Sequence, residues 1–181
     1  MQKIPLRSLT SLPWSALRDR LAGELLLDEA HRILYATDAS VYRERPAAVV
    51  FPRTEADLVA CVRFCAEHRL PLTPRAGGTS LAGQAIGAGL IVDVSRHLRK
   101  IHEINVEKGY AVVDPGVIRD QLNDALRPHG YWFGPNTSTA NRCTLGGMFG
   151  NNSCGSTSIT VGSTREHVLG ARVTSRLVAG R

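Results

Sequence analysis

At the centre of the chain lies the segment Pro74-Arg75-Ala76-Gly77-Gly78-Thr79-Ser80-Leu81-Ala82-Gly83. The apolar run at residues 70–72 precedes it and predicts a strand that leads into the glycines. Adjacent glycines permit positive φ and carry no Cβ atoms, so successive backbone N–H groups can converge on an anion. Thr79 and Ser80 add hydroxyl donors. The segment predicts a diphosphate-binding loop, with a plain glycine-rich turn as the alternative, and it matches neither a P-loop nor Gly-x-Gly-x-x-Gly.

A second glycine-rich segment follows later in the chain, from Thr144 to Gly155. It contains four glycines, two asparagines and two hydroxyl residues in twelve positions. Two such segments in one chain indicate a long ligand that is held at both ends.

Together the two segments resemble the FAD-binding domain of the vanillyl-alcohol oxidase / p-cresol methylhydroxylase (PCMH) superfamily. The likeness is carried by Pro74–Gly83, Thr144–Gly147, Asn152 and Gly155, and it extends over residues 38–173. Within the superfamily it is greatest to the D-lactate dehydrogenase and glycolate oxidase flavoproteins. The resemblance implies an α+β fold, in which two α/β subdomains of a PCMH-type domain hold FAD in the cleft between them.

The resemblance also implies which residues contact the cofactor. Backbone groups of the first segment hold the FAD diphosphate, and the hydroxyl of Ser80 assists. A second group of residues lies on the flavin side, and the backbone of Val173 meets the adenine. No catalytic residue and no metal ligand is assigned. The expected FAD contacts are Arg75, Ala76, Gly77, Gly78, Thr79, Ser80, Pro135, Ser138, Thr139, Thr144, Gly146, Gly147, Asn152, Gly155 and Val173.

Thr79 bears on how the flavin is attached. Family members that link the flavin covalently to this loop have a histidine at the corresponding position. A threonine does not form that bond, so we expect FAD to be bound non-covalently.

Hydrophobic periodicity predicts the elements around these segments. Residues 1–37 are expected to form a helical N-terminal extension, with Leu17, Leu21 and Leu25 on one face. The family resemblance implies that residues 38–181 form the FAD-binding domain, with a first subdomain at about 45–100 and a second, truncated one at about 101–181. The first part of the domain is predicted to contain strands at 47–51, 70–73 and 90–94, and a helix that runs from a capping box at Thr54 and Asp57 to about His68. The second part is predicted to contain a hairpin of 101–106 with 110–114 and a helix at 117–127. A loop at 130–141 and the start of a strand at 167–173 follow.

Composition restricts the class of protein. Hydrophobic residues make up 43% and charged residues 21% of the 181 residues, which is ordinary for a globular domain. The net charge of +6 comes from scattered basic residues, so we expect no nucleic-acid partner. No apolar run is long enough for a transmembrane segment.

None of the four cysteines forms Cys-x-x-Cys, and Cys61 and Cys65 are expected to pack as small apolar residues. We expect a cytoplasmic location, either free or peripheral to the inner face of the membrane.

These observations lead to one main functional hypothesis and two alternatives. The main hypothesis is the FAD-binding portion of a flavin-dependent oxidoreductase that oxidises a D-2-hydroxy acid, such as D-lactate or glycolate, to the keto acid. The resemblance ends at Val173, so we expect a domain that is incomplete at its C-terminal side, without the substrate-binding half. The first alternative is a non-catalytic or truncated FAD-binding module that needs another domain or chain. The second is an anion or nucleotide binder that takes no flavin.

Overall fold

The computed structural model describes residues 11–175, which form two compact units. Within these residues, the first unit comprises residues 11–75, 80–93 and 173–175, and the second comprises residues 76–79 and 94–172. The long stretch of chain in the second unit begins after Asp93, whereas the sequence predicts the boundary between the two subdomains at about residue 100.

A four-stranded sheet is the centre of the first unit. Its strands are β1 (Glu24–Leu26), β2 (Ala48–Phe51), β3 (Leu72–Arg75) and β4 (Leu90–Asp93), in the order β1-β2-β4-β3. Strands β2 and β4 pair in parallel, as do β3 and β4, whereas β1 is antiparallel to β2. Every residue of β2 and β4 is buried, and all of them except Asp93 are apolar, which is typical of central parallel strands. The predicted parallel α/β unit is confirmed.

Strand β3 begins two residues later than predicted, and its neighbours explain why. The N–H of Leu70 donates to the carbonyl of Cys65 at 2.9 Å, so Leu70 closes the end of the preceding helix. Arg69 has a φ of 51°, which turns the chain out of the helix. Leu70 is buried as part of that turn and not as part of the strand.

Helix α3 (Glu55–Glu67) begins at the predicted capping box. The Asp57 N–H donates to Thr54 Oγ1 at 3.2 Å, and the Thr54 N–H donates to Asp57 Oδ2 at 3.3 Å. Asp57 also accepts hydrogen bonds from the N–H groups of Arg53 at 2.8 Å and Ala22 at 2.9 Å. The helix packs its buried face into the core of the first unit, whose buried members are Trp14, Leu17, Leu25, Ala47, Ala48, Val50, Ala60, Cys61, Phe64, Cys65, Leu70, Leu90 and Val92.

The N-terminal segment differs from the prediction of a continuous helix. The described part contains a short helix α1 (Trp14–Arg18), strand β1 and helix α2 (Glu29–Leu34). Leu25, predicted on a helix face, is paired with Val50 of β2. A Cβ atom at Gly23 would lie 2.1 Å from the Phe51 carbonyl oxygen, so the glycine lets the chain approach the sheet. The helical spacing of the leucines is therefore misleading after Arg18, and residues 1–10 lie outside the described residues.

The second unit begins with the predicted hairpin. Strands β5 (Ile101–Asn105) and β6 (Tyr110–Val113) pair antiparallel, and Gly109 takes a φ of 67° at the turn. The later elements are α4 (Arg119–Leu126), a 3₁₀ turn at Arg127–His129, α5 (Leu145–Asn151), α6 (Ser158–Val161) and a 3₁₀ turn at Thr164–His167.

Two features of residues 145–175 differ from expectation. Helix α5 passes through Gly146 and Gly147, a sequence of low intrinsic helix propensity. The predicted strand at 167–173 is wrong, because residues 168–175 belong to neither helix nor strand. Leu169 and Val173 are 85% and 60% exposed, so no core contact holds them in an extended pairing. Among the described residues, no helix combines the length and apolar composition that a membrane span requires.

Candidate FAD-binding site

The first glycine-rich segment presents a row of backbone donors. Gly78 has a φ of 62°, in the left-handed region that favours glycine. Between residues 11 and 175, nothing accepts a hydrogen bond from the N–H groups of Ala76, Gly77, Gly78 or Thr79. Four successive donors without protein partners are a local concentration of positive partial charge, which suits an anion.

The two glycine-rich segments meet within the second unit. A Cβ atom at Gly77 would lie 2.6 Å from the carbonyl oxygen of Arg142. A Cβ atom at Gly147 would lie 3.2 Å from the Cβ of Ala76. The absence of side chains at these glycines therefore permits the first segment to pack against the second.

Thr144 places a polar atom at this junction. It is 2% exposed, and its Oγ1 has no hydrogen-bond partner among the described residues. The Cβ position of Gly147 is 3.6 Å from that oxygen. A buried hydroxyl without a partner is costly, so a ligand atom that accepts or donates here is favoured. The donor row and the free hydroxyl fit a polar, anionic cofactor such as FAD.

Gly146 has a reason of its own to be glycine. Its N–H donates to the carbonyl of Pro115 at 2.8 Å, and a Cβ atom would lie 2.5 Å from the Cβ of Pro115. This close packing accounts for the residue without any contribution from a ligand.

The expected flavin-side residues lie in an irregular segment before α5. Pro135 is buried, Thr139 is half-buried and Ser138 is exposed. The carbonyl of Thr139 accepts hydrogen bonds from the N–H groups of Arg142 at 2.8 Å and Cys143 at 2.7 Å. The segment is therefore a compact turn, even though it has no regular secondary structure.

Asn152 and Gly155, the last residues of the second segment, have internal contacts. Asn152 has a φ of 45°, and its Oδ1 accepts a hydrogen bond from the Arg165 N–H at 2.9 Å. A Cβ atom at Gly155 would lie 1.5 Å from the carbonyl oxygen of Asn136, so only glycine fits. Gly155 thus packs directly on the segment that carries Ser138 and Thr139.

The first unit holds the expected residues Arg75, Ser80 and Val173. Arg75 Nη1 donates to the carbonyls of Thr37 at 2.9 Å and Ala85 at 3.1 Å. Ser80 Oγ accepts from the Ala82 N–H at 3.1 Å and donates to Gln84. Val173 is exposed and outside any strand. The guanidinium of Arg75 is thus engaged in closing its own loop onto Ala85.

Three residues that sequence reasoning did not assign to this region support Arg75. Its guanidinium carbon lies 4.8 Å from the ring centroid of Tyr35, whose hydroxyl donates to Asp93 Oδ2 at 2.6 Å. Asp93 is buried and accepts this hydrogen bond at the end of β4. Asp38 accepts from the Ala85 N–H at 3.3 Å. Burial raises the pKa of Asp38, but hydrogen bonds from Ser40 and Ala85 and the charge of Arg75 outweigh it and lower the pKa overall.

Two of the four cysteines are neutral thiols in the core. Burial, chiefly, raises the pKa values of Cys61 and Cys65 to about 12, so both are neutral thiols packed in the core as predicted. Cys143 is buried and Cys154 is exposed. Within residues 11–175 no set of three or more His, Cys, Asp or Glu side chains is arranged to hold a metal ion.

The fold and the paired glycine-rich segments define a flavoprotein cofactor domain. The family described as FAD binding domain matches residues 46–176. The chain therefore belongs to this family, and FAD is the cofactor that membership implies.

Curated relatives are hydroxy-acid dehydrogenases and oxidases. The chain is 48% identical over 153 residues to D-2-hydroxyglutarate dehydrogenase of Escherichia coli strain K12, covering 83% of this chain and 15% of that protein. It is 35% identical over 146 residues to glycolate oxidase subunit GlcD of Bacillus subtilis strain 168, covering 80% and 31%. It is 31% identical over 130 residues to the mitochondrial D-lactate dehydrogenase [cytochrome] of Kluyveromyces lactis, covering 70% and 22%. The chain thus spans between 15% and 31% of the length of these relatives.

Solved structures support the fold. An alkyldihydroxyacetonephosphate synthase matches with a TM-score of 0.71 at 19% identity, covering 91% of this chain and 32% of that one. A p-cresol methylhydroxylase matches with a TM-score of 0.62 at 20% identity, covering 81% and 29%. The chain has the mixed helix-and-sheet fold of a PCMH-type FAD-binding domain, as predicted.

Proposed function

We propose that this chain holds FAD non-covalently and forms the FAD-binding portion of a dehydrogenase that oxidises a D-2-hydroxy acid to the keto acid. The observation that supports cofactor binding is the junction of the two glycine-rich segments. There the donor row of Ala76–Thr79 and the unpartnered hydroxyl of Thr144 occur in one compact unit.

In this proposal the residues of the chain bind and orient the cofactor. The N–H groups of Ala76–Thr79 hold the diphosphate, and each charge-assisted hydrogen bond contributes about 1.5–3 kcal/mol. Pro135, Ser138 and Thr139 lie at the flavin end. When bound, FAD supplies the hydride acceptor for oxidation of the hydroxyl carbon. No catalytic residue is assigned to the chain.

The identities to named relatives support the substrate class. The 48% identity to a D-2-hydroxyglutarate dehydrogenase exceeds the 35% and 31% identities to the glycolate oxidase subunit and the D-lactate dehydrogenase. We therefore place D-2-hydroxyglutarate ahead of D-lactate and glycolate as the substrate of the whole protein. A second candidate is a cofactor-binding module whose catalysis depends on another domain or chain.

Non-covalent attachment is supported by Thr79, which stands where family members with a covalent link at this loop have histidine. The test is to purify the protein, record its visible spectrum and precipitate it with acid. We expect flavin absorbance that moves to the supernatant. Colour that stays with the precipitated chain would refute non-covalent binding, and a protein that cannot be loaded with FAD would refute cofactor binding.

Turnover separates the two candidates for the reaction. Dye reduction is measured with D-2-hydroxyglutarate, D-lactate and glycolate, with free FAD as the blank. Saturable turnover by the FAD-loaded chain supports a dehydrogenase, whereas flavin binding without turnover supports the module.

A further inference from the structure

The segment that carries Pro135, Ser138 and Thr139 has no regular structure, yet helix α4 holds its backbone. Asn123, on that helix, forms two hydrogen bonds with the peptide groups of Phe133. Its Oδ1 accepts from the Phe133 N–H at 2.7 Å, and its Nδ2 donates to the Phe133 carbonyl at 3.4 Å. The side chain thus satisfies both backbone polar groups of a residue that lies outside any helix or strand.

Arg119, one turn before Asn123, holds the next part of the same segment. Its Nε donates to the Pro135 carbonyl at 3.1 Å, and its Nη2 donates to the Phe133 carbonyl at 3.3 Å. Its Nη1 is paired with Asp120 at 2.9 Å. The side chain is only 11% exposed, so these bonds are largely shielded from water.

The backbone at the start of α4 holds the far end of the segment. The Arg119 N–H donates to the Cys143 carbonyl at 3.0 Å, and the Asp120 N–H donates to the Ala140 carbonyl at 3.2 Å. One helix of eight residues therefore fixes both ends of residues 133–143.

We propose that Arg119 and Asn123 are positioning residues that set residues 133–143 in the shape required at the flavin end of FAD. This inference rests on the proposed function. Neither side chain needs to touch the cofactor, because Asn123 holds the N–H and carbonyl of Phe133, and Arg119 holds the carbonyls of Phe133 and Pro135. A segment already ordered before binding loses less conformational entropy when the flavin is bound.

The test compares Asn123→Leu and Arg119→Lys with the control Asp124→Asn in the full chain. Asn123→Leu removes both bonds at similar volume, and Arg119→Lys keeps the charge but removes the planar donors. Asp124 lies on the same helix, and within residues 11–175 its partner is Arg127 at the surface. The measurements are FAD affinity by flavin fluorescence, visible circular dichroism per bound flavin at saturation, and thermal unfolding.

We expect each of the two variants to weaken FAD binding about tenfold or more, as loss of a shielded hydrogen bond predicts. We also expect an altered flavin circular dichroism, because the ring end is held differently, and no change for Asp124→Asn. Wild-type affinity in both variants, or weaker binding with an unchanged flavin spectrum, would overturn the inference alone. A wild-type chain that binds no FAD would overturn the proposed function with it. If one of the two variants does not fold, the result for the other variant tests the inference by itself.

Discussion

Gly78 takes a φ of 62° within the donor row of Ala76–Thr79. A β-branched side chain at that φ costs about 1–3 kcal/mol, and the backbone relaxes toward negative φ to avoid the strain. Such relaxation turns the neighbouring N–H groups away from a common point. We expect Gly78→Val to weaken FAD binding by at least about a hundredfold, equivalent to losing two charge-assisted bonds. Flavin fluorescence titration measures the change.

Gly109 offers a matched control for this substitution. It has a φ of 67°, lies in the hairpin turn of the same unit and has no neighbouring atom near a Cβ position. Gly109→Val therefore introduces similar backbone strain away from the donor row. Similar losses of affinity in the two variants would show that strain alone, and not the shape of the loop, is responsible.

Removing the Thr144 hydroxyl is expected to stabilise the FAD-free protein and, if the hydroxyl contacts FAD, to weaken FAD binding. Replacing its unpartnered hydroxyl with the methyl group of valine removes a buried polar atom at nearly constant volume. Thr144→Val is therefore expected to raise the free energy of unfolding of the FAD-free protein by about 1 kcal/mol. If the hydroxyl contacts FAD, the same variant binds FAD less tightly. Urea unfolding and FAD titration on one preparation check both signs, and a variant that is destabilised and binds FAD normally contradicts the prediction.

At the scale of elements, the N-terminus of α3 depends on one carboxylate. Burial raises the pKa of Asp57, but hydrogen bonds from the N–H groups of Arg53 and Ala22 and from Thr54 outweigh this and hold the pKa below its ordinary value of 3.8. Asp57 is 1% exposed and connects α3 to the residues before β1. The carboxylate therefore stabilises both the helix and the docking of the N-terminal segment.

The lowered pKa determines how stability depends on pH. The unfolded chain binds the proton more readily than the folded chain, so the stabilisation by Asp57 is complete above the unfolded pKa and is lost as the pH falls through the folded one. We expect Asp57→Asn to lower the free energy of unfolding by about 2 kcal/mol near neutral pH. The gap to wild type should narrow in acid. Urea unfolding from about pH 7 to about pH 3 tests this.

Asp28 is the matched control for that series. It caps α2 through the His31 N–H at 3.1 Å but is exposed to solvent. Asp28→Asn should therefore have a smaller effect at every pH. An Asp57→Asn deficit that stays constant from neutral to acid pH would contradict the assignment of the stabilisation to the ionised carboxylate.

Local signals in the sequence predicted the elements that depend on near neighbours. The capping box of Thr54 and Asp57 and the turn at Gly109 were both found, because each involves residues close together in sequence. Strand β1 was missed, because Leu25 pairs with Val50 and its helical spacing carries no information about that partner. Helix α5 was missed because Gly146 and Gly147 disfavour helix, and packing against Pro115 overrides that preference.

The candidate site shows the same limit. The glycines of both segments were identified from sequence, since adjacent glycines are a distinct local pattern. The bond between Tyr35 and Asp93 joins residues 58 positions apart, and only the folded chain brings them together. Arg119 and Asn123 carried a weak signal, a pair of polar residues one helical turn apart, which alone does not reveal the backbone they hold.

At the scale of the whole molecule, ligand binding and stability are linked. FAD at a hundred times its Kd stabilises a protein that binds it only when folded by about 2.7 kcal/mol, which corresponds to roughly 5–10 °C in Tm for a chain of this size. We expect this rise for the wild-type chain. FMN, which lacks the diphosphate bridge and adenosine, should give little change. Equal shifts with FMN and FAD would contradict the role of the Ala76–Thr79 donor row.

The native cysteines are distributed so that their chemical labelling distinguishes the two units. Cys61 and Cys65 are buried in the first unit, Cys143 is buried in the second, and Cys154 is exposed. The thiolate is the nucleophile that attacks a thiol reagent, so a buried cysteine reacts only during the moments when its surroundings open. Cys154 thus gives the fast reference rate of an accessible thiol. The slower labelling of Cys61 and Cys65 measures the opening of the first unit, and that of Cys143 measures the opening of the second. Labelling of the native cysteines therefore measures the rate at which each unit opens, without any introduced label site.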